Sequence, residues 1–136
     1  MSKRALISVY DKDGIGPFAR SLTNMGWEIV SSGGTATCLG DYGLRVTDVE
    51  TLTGLRPILG HRLVTLTHII HGGILADRDD PVHQADMAEF GITPFDLVVA
   101  NLYPFGTNPS IELIDVGGPA MVRGAAKNHA HVGVVT

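Results

Sequence analysis

The sequence FDLVVANL at residues 95–102 is the most continuous apolar run in the chain. A short run of this kind predicts a strand that is buried on both faces, as in the middle of a parallel sheet. Further strands are predicted at residues 5–9, 27–30, 44–49 and 131–136, and helices at residues 15–25, 35–42, 80–90 and 115–128. Strands and helices that alternate in this way imply an α/β fold, a doubly wound parallel sheet with helices on both faces.

Residues 52–73 show no clear period, because Thr, Gly and His interrupt the apolar positions. We expect a loop region here, since loops in open α/β sheets gather at the carboxyl ends of the strands, where ligands bind. The 136 residues fit a single domain spanning residues 1–136, and we find no internal repeat, low-complexity tract or linker.

Composition narrows the class of protein. Hydrophobic residues make up 44% of the chain, and the formal net charge of −4 argues against a general nucleic-acid binder. The single cysteine, Cys38, excludes an internal disulfide and suits a reducing compartment. No apolar stretch reaches the roughly 20 residues of a membrane span, and the N-terminal apolar run breaks at Asp11. We therefore expect a soluble cytoplasmic protein that binds neither nucleic acid nor a membrane.

The segment SGGT at residues 32–35 lies between a predicted strand and a predicted helix. Glycine lets backbone N–H groups approach a phosphate closely, and a helix N-terminus adds positive potential. A tight turn capped by Ser32 or Thr35 would explain the same residues. Lys12, after the first strand, and Arg62, in a turn, could each add a cation to the phosphate, or could be ordinary surface residues.

Polar side chains also stand at the ends of the later elements. The amide of Asn101 matches a carboxamide or a purine edge, and the phenol of Tyr103 could stabilise a developing oxyanion. An aromatic plug at a strand end is the alternative. Asp115 and Lys127 bracket the last predicted helix, which suits either a proton relay or a helix cap with a favourable C-terminal lysine.

Six histidines raise the question of a metal site, and His68 and His71 stand three residues apart. The remaining histidines and the single cysteine lack ligand spacing, and the sequence contains no HExxH or GxSxG motif. We expect neither a metal site nor a Ser-His-Asp triad.

Six stretches of the chain occur in an order that resembles a known family. They are ISVYDKDGI, SSGGTATCL, VTDVETLTG, HGGILA, FDLVVANLYPF and IDVGGPAMVRGAAKNHAHVGVVT, and they span nearly the whole chain. The chain resembles the N-terminal cyclohydrolase domain of the bifunctional AICAR transformylase/IMP cyclohydrolase family. The resemblance implies a methylglyoxal-synthase-like fold, a homodimer, and a reaction that needs no cofactor or metal.

The resemblance also implies a substrate, a purine-type ribonucleotide whose ring closes with loss of water. That reaction converts the formamido-carboxamide ribotide FAICAR, or a close analogue, to IMP or its counterpart. The implied nucleotide site begins at Tyr10, Asp11 and Lys12, and continues at Ser32, Gly33, Gly34, Thr35, Arg62 and Thr65, which would hold the 5′-phosphate. Ala100 and Asn101 would face the base, Tyr103, Asp115 and Val116 would line the reacting end, and Lys127 would donate and accept the proton.

The chain departs from the family at three places. Val64 stands where the family has a lysine, the segment between residues 105 and 111 is shorter, and the chain ends at Thr136, before the transformylase domain. A separate formyltransferase is therefore expected to supply the substrate. Three other functions stay open: cyclohydrolase of a specialised nucleoside pathway, methylglyoxal synthase, against which ANLYPF and AAKNH argue, and a nucleotide-binding regulatory module without catalysis.

Overall fold

The fold is organised by a five-stranded sheet in the computed structural model, which describes residues 2–136. Every strand pairs in parallel with its neighbours, in the order β3-β2-β1-β4-β5. The strands are β1 (Arg4–Ser8), β2 (Glu28–Ser31), β3 (Thr47–Asp48), β4 (Leu97–Ala100) and β5 (Gly133–Val135). The apolar run at 95–102 therefore contains β4, which lies between β1 and β5 as a strand buried on both faces should.

Helices cover both faces of this sheet. They are α1 (Ile15–Asn24), α2 (Gly33–Asp41), α3 (Val49–Thr53), α4 (His68–Leu75), α5 (Pro81–Phe90) and α6 (Gly117–Lys127). One apolar cluster joins the sheet to α4 and α6, and a second joins the opposite face to α1 and α2. The prediction of a parallel α/β sheet with helices on both faces is confirmed. Within residues 2–136, no helix combines the length and the apolar character that a membrane crossing requires.

The region expected to be a loop at residues 52–73 is shorter than expected, because it ends in helix α4. The side chain of Thr67 caps this helix by accepting a hydrogen bond of 3.2 Å from the backbone N–H of Ile70. A Cβ atom on Gly73 would lie 2.8 Å from the carbonyl oxygen of Thr93. Gly72 and Gly73 obscure the helical period in the sequence, and they are also the residues that let α4 approach the segment before β4 closely. The third strand is likewise shorter than predicted, since α3 begins at Val49.

The winding of the chain reverses between β1 and β4. From β1 the chain adds β2 and β3 on one side, and it later adds β4 and β5 on the other. Loops that leave the carboxyl ends of β1 and β4 therefore diverge and open a crevice between them. In doubly wound sheets, this switch point is where ligands bind.

Candidate functional site

A cavity of about 750 Å³ opens at this switch point. Segments that follow β1, β2 and β4 form one wall, and residues 60–66 and 111–118 form the other. The structure brings twelve of the residues expected in the nucleotide site to this cavity: Tyr10, Lys12, Ser32, Gly33, Gly34, Thr35, Arg62, Thr65, Asn101, Tyr103, Asp115 and Val116.

The turn between β2 and α2 presents backbone donors to the cavity. Ser32 occupies the position before the helix, and its hydroxyl makes no capping hydrogen bond. The first N–H groups of a helix lack partners within the helix, so those at Gly33 and Gly34 are directed out of its N-terminus. Gly33 adopts a φ of +54°, a conformation that residues other than glycine rarely take. The turn therefore has the features of an anion site.

Three side chains fix the loop after β1 that faces this turn. The Thr35 hydroxyl donates to the carbonyl of Val9 at 3.0 Å and accepts from its N–H at 3.2 Å. The Lys12 ammonium donates to the carbonyls of Val9 and Tyr10, both at 3.1 Å. The Asn101 amide oxygen accepts from the N–H groups of Tyr10 and Asp11 at 2.7 and 3.0 Å. Asn101 thus holds the loop in position from the end of β4.

The carboxylate of Asp115 lies at the start of α6, on the opposite side of the cavity. One oxygen accepts from the N–H of Gly118 at 2.9 Å, and the other lies 3.4 Å from the N–H of Tyr103. A Cβ atom on Gly118 would approach that carboxylate to 2.6 Å, so glycine is needed there. The ring of Tyr103 packs edge-on against that of Tyr10, with centroids 5.5 Å apart. Asp115 therefore both caps the helix and faces the cavity.

Arg62 reaches the cavity from a narrow hairpin closed by a bridge between Ile58 and Leu63. Its guanidinium forms a two-pronged ion pair with Glu112, in which Nε lies 3.4 Å from the second carboxylate oxygen. Hydrogen bonding from Arg62 and then its charge hold the pKa of Glu112 below its usual value. Glu112 is therefore ionised at neutral pH. This contact joins the two segments, residues 60–66 and 111–118, that form the second wall of the cavity, which we term the outer wall.

Three expected site residues do not line the main cavity. Ala100 is buried in the core, and with Asp11 it borders a smaller surface depression. Lys127 is exposed and is the last residue of α6. At roughly 1.5 Å per residue, it lies about 9 Å along the helix from Met121, the last residue of α6 that lines the cavity, and about 15 Å from Gly117 at the start of the helix. This is farther than a lysine side chain reaches within one chain.

Sequence reasoning missed Glu112 and most of the apolar outer wall. Glu112 lies in a single 3-10 turn, Ile111–Leu113, and no motif distinguishes it from a solvated glutamate. The missed apolar residues that line the cavity are Leu66, Ile111, Leu113, Ile114 and Met121. Only Met121 belongs to a helix with a readable period; the others lie in loops or in the 3-10 turn Ile111–Leu113, which are too short for spacing to carry a signal.

The fold agrees with comparisons to known proteins. Residues 14–129 match the family model described as the MGS-like domain. The chain belongs to the MGS-like domain family. This MGS-like domain is also similar to the solved chain described as the crystal structure of ForH, with a TM-score of 0.85 and 41% identity. The alignment covers 97% of this chain and 72% of that one.

The MGS-like domain is also related to curated proteins named bifunctional purine biosynthesis protein PurH. It is 50% identical over 142 residues to the protein of Mesorhizobium japonicum, and 54% identical over 146 residues to that of Prochlorococcus marinus. These alignments cover 98% and 100% of the chain but only 26% and 28% of the relatives. The chain thus spans about a quarter of the length of these relatives. The resemblance found in the sequence, to the N-terminal region of this family, is confirmed.

Among residues 2–136, His61 is the one histidine that lines the main cavity. His68 packs against Phe90, with ring centroids 6.2 Å apart, and burial lowers the pKa of His71. Within residues 2–136, the one group with metal-ligand geometry is Asp77, Asp79 and His131, outside the main cavity. In this group, His131 Nε2 lies 3.1 Å from a carboxylate oxygen of Asp77. This contact joins the segment after α4 to the segment before β5.

Proposed function

We propose that this MGS-like domain is a cyclohydrolase that closes a purine-type ring by dehydrating FAICAR or a close analogue. The observation that carries the proposal is the convergence of twelve expected site residues on one cavity of about 750 Å³. That volume lies within the range of small-molecule sites, which is roughly 300–1,000 Å³. The relationship to bifunctional purine biosynthesis proteins supports a role in the same pathway.

The 5′-phosphate is proposed to bind between the N-terminus of α2 and the two cations of the cavity. Backbone N–H groups at residues 33 and 34 and the Ser32 hydroxyl would donate to its oxygens. A Cβ atom on Gly34 would lie 3.8 Å from Lys12 Nζ, so the ammonium is close to the turn. Arg62 adds a planar guanidinium suited to two phosphate oxygens.

With the phosphate bound there, the base would extend towards Asp115 and Tyr103. Ring closure forms a bond between the carboxamide nitrogen and the formamido carbon, and the tetrahedral oxygen then leaves as water after protonation. The Asp115 carboxylate would accept from the attacking nitrogen and orient it, and the Tyr103 phenol would donate to the developing oxyanion. The chemistry is therefore positioning and charge stabilisation, together with a proton donor and acceptor.

We assign that proton transfer to Lys127, as the family resemblance implies, and infer that it comes from a second copy of the chain. Within one chain, Lys127 lies about 15 Å along α6 from the end that faces the cavity. A catalytic Lys127 must therefore reach the cavity of another protomer. The exposed apolar side chain of Val116 near the mouth, which is 59% exposed, suits contact with that copy.

Mixing two inactive variants tests this arrangement. Asp115→Asn and Lys127→Met are each expected to be inactive alone, whereas their mixed dimers contain one site with both native residues. Random exchange of subunits should restore about a quarter of wild-type turnover, because half of the dimers are mixed and each has one intact site. Turnover is followed after subunit exchange, with each variant mixed with itself as the control. A mixture as inactive as its components would contradict a Lys127 supplied by the partner.

The activity itself is tested by incubating the purified chain with FAICAR and following IMP formation by absorbance. A reaction without protein sets the uncatalysed rate, and EDTA is included because no metal is invoked. We expect turnover well above that rate. Nucleotide binding without turnover would instead assign a regulatory module, and formation of methylglyoxal from dihydroxyacetone phosphate would assign the synthase activity.

Val64→Lys tests whether the cavity is adapted to a substrate analogue. Val64 lines the cavity and packs against the core, where a lysine stem can replace its contacts while the ammonium enters the cavity. A new charged hydrogen bond of about 1.5–3 kcal/mol should tighten inorganic phosphate by about tenfold or more. Isothermal titration calorimetry measures this change, with Val82→Lys on the exposed face of α5 as the charge-matched control. Weaker binding would show that the cavity is shaped against a cation at this position.

A further inference from the structure

Residues 104–114, which we term the strap, cross the outer side of the cavity with few attachments. Nine of these eleven residues are exposed. The backbone hydrogen bonds of the strap are local turns, such as those from Thr107 and Asn108 to Pro104. Within residues 2–136, its only hydrogen bonds to a distant segment are those between Glu112 and Arg62. A segment with few buried contacts and one polar tether opens at low cost in free energy.

The tether ends on a residue of the proposed phosphate site. Arg62 follows three consecutive residues of positive φ, Leu59, Gly60 and His61, at 55°, 63° and 68°. This tight hairpin tip directs the guanidinium towards the cavity, which it lines together with Glu112. The same donors therefore serve the carboxylate and would serve a phosphate.

The charges that line the cavity show why it matters that Glu112 and a phosphate would use the same donors of Arg62. Its lining includes two basic side chains, Lys12 and Arg62, and two acidic ones, Glu112 and Asp115. A phosphomonoester close to a dianion would enter a cavity whose charges already cancel. Withdrawal of Glu112 leaves a net positive site and frees the guanidinium fork for two phosphate oxygens.

We propose that Glu112 is a latch, which competes with the phosphate of a phosphomonoester for Arg62, so that phosphate binding releases the strap. This inference rests on the proposed function only in placing a phosphate at Arg62. An exposed ion pair between single charges is weak and is screened by salt. A dianion with three acceptor oxygens, held also by the N-terminus of α2, displaces it. Glu112 thereby sets the phosphate affinity and couples it to access to the cavity.

Phosphate affinity in the absence of any nucleotide tests the latch. Inorganic phosphate is titrated calorimetrically into the wild type, Glu112→Gln, and Glu89→Gln, an exposed control with the same charge change. Loss of the competing carboxylate should tighten phosphate by about three- to tenfold, given the strength of exposed pairs and of charges at short range. Glu89→Gln should match the wild type. Equal or weaker binding by Glu112→Gln, or no binding by either protein, would overturn the proposal.

A double-mutant cycle separates competition from simple repulsion. Arg62→Gln is introduced into the wild type and into Glu112→Gln, and phosphate affinity is measured in each. If the two residues compete, Arg62→Gln costs several-fold more affinity where Glu112 is absent, because the guanidinium is free there. Equal losses in both backgrounds would rule out a shared position.

Amide hydrogen exchange reports on the release of the strap. Saturating inorganic phosphate should accelerate exchange at residues 107–114 several-fold and slow it at residues 33–35. Slower exchange in the strap would mean that phosphate closes it, and would end the latch. None of these measurements depends on turnover, so a chain that binds phosphate through this exchange but forms no IMP would refute the cyclohydrolase and leave the latch standing.

Discussion

Asp115→Asn should lower the turnover of ring closure by about 10²–10⁴-fold while nucleotide affinity changes little. In the proposed mechanism the carboxylate orients the attacking nitrogen and offsets its developing positive charge, and a neutral amide provides neither an anion nor a second acceptor oxygen. The amide oxygen of asparagine can still accept the hydrogen bond from Gly118 that caps α6. The fold should therefore survive, and the loss should fall on kcat.

Steady-state kinetics and nucleotide binding on the folded variant measure this effect. Asp86→Asn, an exposed change on α5 with the same chemistry and charge, is the control and should retain wild-type turnover. A turnover of Asp115→Asn within threefold of wild type would show that the carboxylate only caps the helix. A collapse of affinity at unchanged kcat would show that it binds the ground state.

Phe95→Ala should lower the free energy of unfolding by about 3–5 kcal/mol. Phe95 is 1% exposed and packs beneath α4, where its ring closely faces Gly73, and the Arg4 guanidinium lies 4.8 Å from the ring centroid. Gly73 has no side chain that could fill the space that the ring leaves.

Urea unfolding measures the loss, with an unchanged slope as the sign that both end states are preserved. Phe90→Ala is the matched control, because Phe90 is 52% exposed and should cost at most about 1 kcal/mol. A loss below 1 kcal/mol for Phe95→Ala would contradict the packing described for α4.

The sequence predicts those parts of this molecule in which hydrophobic spacing and turn chemistry agree. The run at 95–102 predicts β4 because a strand buried on both faces has few polar interruptions. Helix α4 escapes prediction because Gly72 and Gly73, required for close packing, also break its period. Such a conflict between local preference and tertiary contact cannot be resolved from single-sequence patterns.

The site divides in the same way. Residues 32–35 carry a local signature, since glycine and hydroxyl residues between a strand and a helix have a defined geometry. Glu112 has none, because its partner Arg62 lies fifty positions away and the pairing depends on two irregular loops. Motif matching likewise cannot show that Lys127 lies about 15 Å from the cavity end of α6, because a motif assigns a role to a residue but does not give its place in the fold.

The hydrogen bonds of Asn101 have a consequence for how this protein can change. They join the loop after β1 to the end of β4, so one wall of the cavity inherits the rigidity of the sheet. The opposite wall consists of loop residues, which tolerate substitution and changes in length. Grafting residues 54–67 and 104–114 from a relative is therefore expected to change substrate preference while the loop after β1 and the end of β4 stay unchanged. A family in which one wall of the cavity is rigid and the other is variable can acquire new substrates without changes to its core.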